Sequence, residues 1–544
     1  MITIARAPQR ALDTLGRWHR GGHRPPLVVA LAGVLVAAGA LLPTAYLILR
    51  ATGAGAGLWD LLFRPRTAQI LGRTLTLMIT VTVASLAVSL PLAWLIERTD
   101  LPHRRVWSVL TALPLVIPSY VLGFIVVAAL GPRGMLQQTL AGPLGIERIP
   151  APYGFRGAWL TVTLASYPYM LLLLQAAIRG LDGRMEEVAR SLGYGRWRTF
   201  MRVTLAQLMP AIAAGSLLVG LYVLRDFGAV SLLRYETFTW AIYLQYNTSI
   251  DRSMAAALAL VPVVLAAGVL YLESRSRQTR ARYNAGARSD RAPAPIPLGR
   301  WRWPALLYCG VVVLVALVMP LGVLGYWLTR ALAVGVALQV PWASIWNSVS
   351  VSAVAGLVTV MAAIPIAILE VRYPSRLARL LERASYSGFG LPGIVIALAL
   401  VFFGANYARA LYQTTTLLVL AYAVLFLPQA VGAARNSLLQ ANPRLEEAAR
   451  SLGRSPLGAL WAITLPMMRP GLLAGAALVF LTAMKELPAT LLLGPTGFRT
   501  LATIVWSATE EGMFASAALS SLLLILFSSV PMAFLSLGKR TKRS

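Results

Sequence analysis

The octet EEVARSLG occupies positions 186–193, and EEAARSLG occupies 446–453, of a 544-residue chain. Both are acidic and helix-forming, in a sequence that is 58% hydrophobic and only 13% charged. That composition lies far from the soluble globular average. Around the octets the apolar residues come in long blocks. Leu27 to Leu49 carries no charge, and neither does Thr74 to Ile96 or Met254 to Leu272. Runs of this length cross a hydrocarbon core of about 30 Å as helices. Twelve are predicted, near 27–49, 74–96, 106–130, 157–178, 205–224, 254–272, 303–328, 348–369, 386–404, 415–434, 467–484 and 514–537. The chain therefore reads as an all-α membrane protein with about twelve transmembrane helices.

The octets are one part of a longer repeat. Pro168 and Pro428 stand 260 residues apart, as do Glu187 and Glu447, Gly193 and Gly453, Pro210 and Pro470, and Asp226 and Glu486. Earlier in each half the offset is 274, linking Pro91 to Pro365 and Pro118 to Pro392. Most of the difference falls in a Gly- and Pro-rich segment near 131–156. Six spans per half is an even number, so both halves start on the same side and the repeat is parallel. Two such halves pack around an axis along the membrane normal, where a transport path would lie. The expected organisation is a basic cytoplasmic arm at 1–26, a first half at 27–273, a linker at 274–302, a second half at 303–538 and a basic tail at 539–544. The join SRSRQTRARYNAGARSDRAPAPIP, 274–297, is polar, basic and Pro-rich at its end, as in flexible linkers.

The formal net charge is +29. Its distribution speaks for membrane orientation and against nucleic acid. With the N-terminus inside, most Lys and Arg fall in inner segments, the positive-inside bias. The densest clusters, Arg6 to Arg24, Arg275 to Arg302 and Lys539 to Arg543, all come out cytoplasmic. The first apolar run is long and lacks a small-residue cleavage pattern, so it reads as a retained span. Cys309 is the lone cysteine, which excludes a disulfide framework and a thiolate metal site. His19, His23 and His103 supply too few ligands for a structural metal, and no cofactor is expected.

Each octet falls between the fourth and fifth span of its half. Asp182 and Asn442 are expected to start a short helix, with Glu186, Glu187, Glu446 and Glu447 in its first turn, where they favour the helix dipole. Gly193 and Gly453 end it. This pattern resembles the EAA loop of type I ABC-transporter permeases: Glu-Ala-Ala, three residues, Gly, nine residues, Ile-x-Leu-Pro. The second half matches with Glu447, Ala448, Ala449, Gly453, Ile463, Leu465 and Pro466. The first matches with Glu187, Ala189, Gly193 and Leu205, and departs with Val188, Val203 and Ala206. The resemblance implies two tandem six-helix permease repeats. It also implies coupling loops at 182–205 and 442–466 that dock two ATP-binding cassette subunits. No Walker A phosphate loop occurs, so the motor is expected on separate chains, and this one is a non-catalytic transport subunit in a bacterial inner membrane with both termini cytoplasmic.

The segments 224–260 and 484–520 follow the fifth spans. Together with DFGAVSLLRYETFT, 226–239, they resemble fused permeases of the ferric-iron branch, which receive substrate from an external binding protein. Arg225–Asp226 and Lys485–Glu486 are expected to line or gate the outer mouth. Charges at bilayer depth cost roughly 2.5–3.5 kcal/mol on insertion scales, so they pair or face water. Tyr235, Glu236, Tyr243, Tyr246 and Asp251 offer the oxygens that hard cations prefer. Contact with the binding protein is the expected role of their loops, with Arg234, Arg252, Glu510 and Glu511. A thiamine permease shares the fused plan. A secondary transporter would use two parallel halves without octets, and a membrane enzyme would need a catalytic cluster that is absent.

Overall fold

A computed structural model describes residues 25–52, 57–132, 134–144, 150–248, 253–284, 295–336 and 339–537. The basic arm with His19 and His23, Asp251, Arg252, the middle of the linker and the basic tail lie outside the described residues. The regular structure among the described residues is helical, apart from an isolated pairing of Thr99 with Ile296. Ten helices are long and apolar enough to cross a membrane, and two shorter apolar helices, Gly393–Tyr407 and Phe514–Ser529, complete the set of twelve segments.

Two expected spans differ in detail, at equivalent places in the repeat. The segment 106–130 is not one helix. It forms a helix at Arg104–Leu110, a 3-10 turn at Leu113–Val116, and a second helix at Ser119–Leu130. The segment 386–404 likewise begins with a 3-10 turn at Ser387–Phe389, and its helix runs only from Gly393 to Tyr407. Pro118 and Pro392 cause the breaks. Each sits extended as the N-cap, with ψ of 153° and 141°. A proline also pushes its predecessor out of the helical region, and Ile117 obeys with ψ 120°. Hydropathy does not see a backbone break inside an apolar run. Both helices after the break are buried almost all round, as expected of helices without a polar face. They are the packed centres of their respective units.

The chain forms two compact units, and these are not the two sequence halves. One holds the described residues of Met1–Gly55, Pro341–Ile504 and Leu523–Ser544; the other holds Ala56–Val340 and Val505–Leu522. The first span of each half thus packs in the unit built from the other half. Helix Leu27–Thr52 lies on Trp342–Arg372, Arg376–Ser385 and Gly393–Tyr407. Its buried stripe is Val29, Gly33, Ala37, Ala40 and Leu47. A Cβ on Gly33 would stand 2.6 Å from Leu369 Cδ1, so small residues set this close approach. Tyr46 donates to the Phe402 carbonyl at 3.4 Å. In the other unit, Tyr308 donates to the Val88 carbonyl at 3.0 Å and Trp327 Nε1 to the Ala128 carbonyl at 3.2 Å. The lone thiol, Cys309, is fully buried there.

Both ends of the linker lie within the described residues. The helix that starts at Ser253 continues to Asn284. Past the undescribed middle, Ile296 N–H donates to the Arg98 carbonyl at 2.8 Å, and the Ile296 carbonyl accepts from Asp100 N–H at 3.2 Å. The Asp100 carboxylate takes the Leu298 N–H at 2.8 Å.

Candidate functional site: two repeated octet helices

The octets form helices at Gly183–Ser191 and Pro443–Ser451. Asp182 and Asn442 are the N-caps, and their side chains accept from Arg184 N–H at 3.0 Å and Arg444 N–H at 3.1 Å. Such caps are worth about 1 kcal/mol. Both helices end in the same Schellman turn. Gly193 N–H reaches the Arg190 carbonyl at 3.0 Å and Tyr194 N–H the Ala189 carbonyl at 3.1 Å. Gly453 and Arg454 repeat this on Arg450 and Ala449 at 3.0 and 3.1 Å. The glycines take φ of 85° and 87°, a conformation that costs other residues roughly 1–2 kcal/mol. Gly453→Ala is therefore expected to lower octet-helix stability by about that amount. Faster amide hydrogen exchange across 449–455 with little change in the neighbouring spans would be the signature; unchanged exchange would remove the role given to the turn.

The two glutamates of each octet face opposite ways. Glu446 is buried and pairs with Arg372 Nε at 3.1 Å, the side chains being 4% and 7% exposed. Thr464 Oγ1 donates to the same carboxylate at 3.3 Å. In the first half Glu186 pairs with Arg98 and accepts from Thr204 Oγ1 at 2.9 Å. Arg98 also lies over the Trp94 ring at 5.3 Å. Burial and the Glu446 carboxylate push the Tyr373 phenol above its ordinary pKa. Each octet is thus latched to the end of a spanning helix and to the start of the next. Arg98, Arg372, Thr204 and Thr464 were not singled out by sequence reasoning. Their signal was present in the repeat offsets, 274 for the arginines and 260 for the threonines.

Glu187 and Glu447 are exposed, as are Val188 and Ala448, whereas Ala189 and Ala449 face inward. Beside the outward glutamates runs an apolar ridge at i, i+3, i+7: Met185, Val188 and Leu192, repeated as Leu445, Ala448 and Leu452. Leu192 is 73% and Leu452 85% exposed. An apolar ridge with a charged flank at matched places in both halves has the chemistry of a docking surface.

Beyond each octet the helix widens into a π-turn, at Phe200–Thr204 and Leu460–Thr464, before Leu205–Arg225 and Leu465–Met484. Pro466 lacks the N–H that a regular turn needs, so widening there is natural. Ala206 has one, yet the same turn forms. The threonine–glutamate bond, common to both halves, accompanies it, and the first loop enters its span as the second does. Val203 and Ile463 lie inside the π-turns.

At the opposite end, Asp226 is buried and Arg225 partly so. Asp226 Oδ1 accepts from Ala229 N–H at 3.1 Å and caps the short helix Gly228–Leu232. Glu486 does the same for Pro488–Leu493 through Ala489 N–H at 3.3 Å, beside the partly buried Lys485. Gly393 leaves room for Glu486, because a Cβ there would collide with its carboxylate. Glu236 is held by Arg66 at 2.7 Å and Arg73 at 3.1 Å. Tyr235 donates to the Arg73 carbonyl at 3.1 Å. Tyr243 and Phe227 meet the Trp506 ring, and Trp506 Nε1 donates to Ser231 at 3.3 Å. Glu510 faces Arg234 and Glu511 through space. Among the described residues no three His, Cys, Asp or Glu converge as a metal cage.

The two halves thus repeat one arrangement on a helical scaffold: an arginine–glutamate latch beneath an exposed apolar ridge. The family model described as binding-protein-dependent transport system inner membrane component matches residues 101–278 and 355–543. The chain belongs to this family: it is a multi-pass inner-membrane permease with two copies of the family domain. It is similar to the Fe(3+)-transport system permease protein FbpB 2 of Haemophilus influenzae, 35% identical over 520 residues, 94% of this chain and 98% of that one. It is also similar to the ferric transport system permease protein FbpB of Actinobacillus pleuropneumoniae, 23% identical over 463 residues, 81% of this chain and 67% of that one. The molybdenum transport system permease protein ModB of Escherichia coli is 35% identical over 213 residues, 37% of this chain and 92% of its own length.

Proposed function

We propose that this chain is the membrane-spanning permease of an ABC importer for ferric iron. Separate ATPase subunits dock on the two octet helices, one on each. The ridge and exposed glutamate in each half are the observation that carries the docking. Iron is supported by the full-length likeness to a permease named for Fe(3+) transport. The octet end faces the cytoplasm, with both termini on that side, in keeping with the basic linker.

At the far end, Arg225–Asp226 and Lys485–Glu486 line or gate the mouth of the path. Their caps fix the short helices that follow the fifth spans, so a movement of either span tilts its cap as a rigid piece. The surface around Arg234, Glu236, Tyr243, Tyr246, Glu510 and Glu511 receives an iron-loaded binding protein. Arg234 is held at φ 53° over the Tyr153 ring, a fixed cation on that surface. Its Glu236 neighbour is already neutralised by two arginines, so this surface recognises protein and does not retain the ion.

Uptake of radiolabelled ferric iron tests the proposal, with this chain, its ATPase and its binding protein expressed in cells lacking ferric uptake. Uptake by the native chain and its loss in a Glu187→Arg, Glu447→Arg variant, with the protein still in the membrane, is expected. Entry of labelled thiamine or molybdate in place of iron would overturn the substrate. Full uptake by the variant would overturn the docking.

A further inference from the structure

A cavity of about 500 Å³ opens at the octet end of the unit that contains Ala56–Val340, lined by Pro102, His103, Val106, Trp107, Arg302, Trp303 and Leu306. It lies between helix Arg104–Leu110 and the start of helix Arg302–Val313. Its floor is apolar and aromatic. Arg302 gives its rim a positive charge, His103 lies beside it, and Arg104, Arg105 and Arg300 are exposed nearby. Of the acids nearby, the Asp100 carboxylate takes the Leu298 N–H, and Glu97 pairs with Arg179 at 3.3 Å and faces Arg104 through space, which leaves Arg302 as the cation on the cavity wall. Trp301 and Trp303 are 62% and 77% exposed, in the amphipathic position that tryptophan takes at a membrane–water boundary.

We propose that this cavity binds one acidic phospholipid of the leaflet on the octet side, its phosphodiester on Arg302 and its upper acyl chains against Trp107, Trp303 and Leu306. Cationic pockets between spanning helices suit acidic headgroups, and the volume suits a small-molecule ligand. The proposal rests on the membrane reading and on neither iron nor ATPase docking. The site abuts the strand of linker that pairs with Arg98 to Asp100, so lipid there braces the same helix end that latches Glu186. At the repeat-equivalent place Leu27–Thr52 packs closely on helix Arg376–Ser385, whereas Arg302–Val313 stands off Arg104–Leu110 and leaves the cavity between them.

Native mass spectrometry of the full chain in detergent tests it, with phosphatidylglycerol and phosphatidylcholine of identical acyl chains. One tightly retained phosphatidylglycerol per chain is expected. Arg302→Gln should weaken it about fivefold, the effect of one surface cation, while Arg302→Lys and the control Arg379→Gln should keep it. Equal melting temperatures would show that Arg302→Gln is folded. Equal retention of both lipids, or no change in Arg302→Gln, would overturn the proposal. So would loss of bound lipid on adding a peptide of residues 285–295, which would make the linker the occupant.

Discussion

Replacing Glu446 by alanine is expected to cost about 3–5 kcal/mol of folding stability, the usual result of removing one partner from a buried ion pair. The Arg372 guanidinium, 7% exposed in the native chain, would keep the Ala441 carbonyl at 3.4 Å as its hydrogen-bond partner and feel Glu447 only through space. Glu447→Ala, one residue on, removes an exposed carboxylate and is expected to stay within about 0.5 kcal/mol. The contrast separates a latch from a contact. Unfolding in detergent micelles measures the stability, and trypsin cleavage after Arg444 and Arg454 reports on the local loosening. Replacing both partners with apolar residues, Arg372→Met with Glu446→Leu, should recover most of the loss, because no charge is then stranded. Glu186→Ala should also destabilise the first half, since Arg98 is 5% exposed and would keep only the Trp94 ring, its Nε and Nη1 having no hydrogen-bond partner. Equal stability of the Glu446 and Glu447 variants would refute the assignment of opposite roles.

The double substitution Leu192→Asp with Leu452→Asp is expected to leave the fold intact and abolish ATPase assembly. Neither side chain is packed, so the stability cost is small. Each ridge would lose an apolar anchor, and anchors at the centre of interfaces carry about 2 kcal/mol or more. Two sites together correspond to roughly a thousandfold loss in assembly. Copurification of the ATPase with the tagged chain measures it, and the single variants should fall between. Undiminished copurification by the double variant would place docking elsewhere.

Much of this was legible in the sequence because it is local. The octets, their caps and their terminal glycines depend on residues within a few positions, and the repeat offsets named each one twice. The latch was not legible. Arg98 and Glu186 are 88 residues apart, Arg372 and Glu446 are 74. In the sequence those arginines read as inner-side positive charge. Only the phase of a short helix separates Glu186 from Glu187, and adjacent carboxylates look alike until one face is covered. The exchange of first spans left no trace either. An apolar helix reads the same whether lipid or a neighbour covers it, and the small stripe on Leu27–Thr52 names no partner. The prolines at 118 and 392 were noted as repeat markers, yet their effect on the backbone was hidden inside uniformly apolar runs.

The exchange of first spans also governs the order in which this molecule can be finished. Helix Leu27–Thr52 is synthesised 290 residues ahead of Trp342, where its packing partner begins. At about 5–20 residues per second, that is a wait of roughly 15–60 s. Through that interval the stripe of Val29, Gly33, Ala37 and Ala40 faces lipid, where small apolar side chains do no harm. The second half then arrives and closes on a wall already in place. A chain cut at the linker would leave each fragment holding the other's missing helix, so joining the halves in one polypeptide fixes their stoichiometry as well as their proximity.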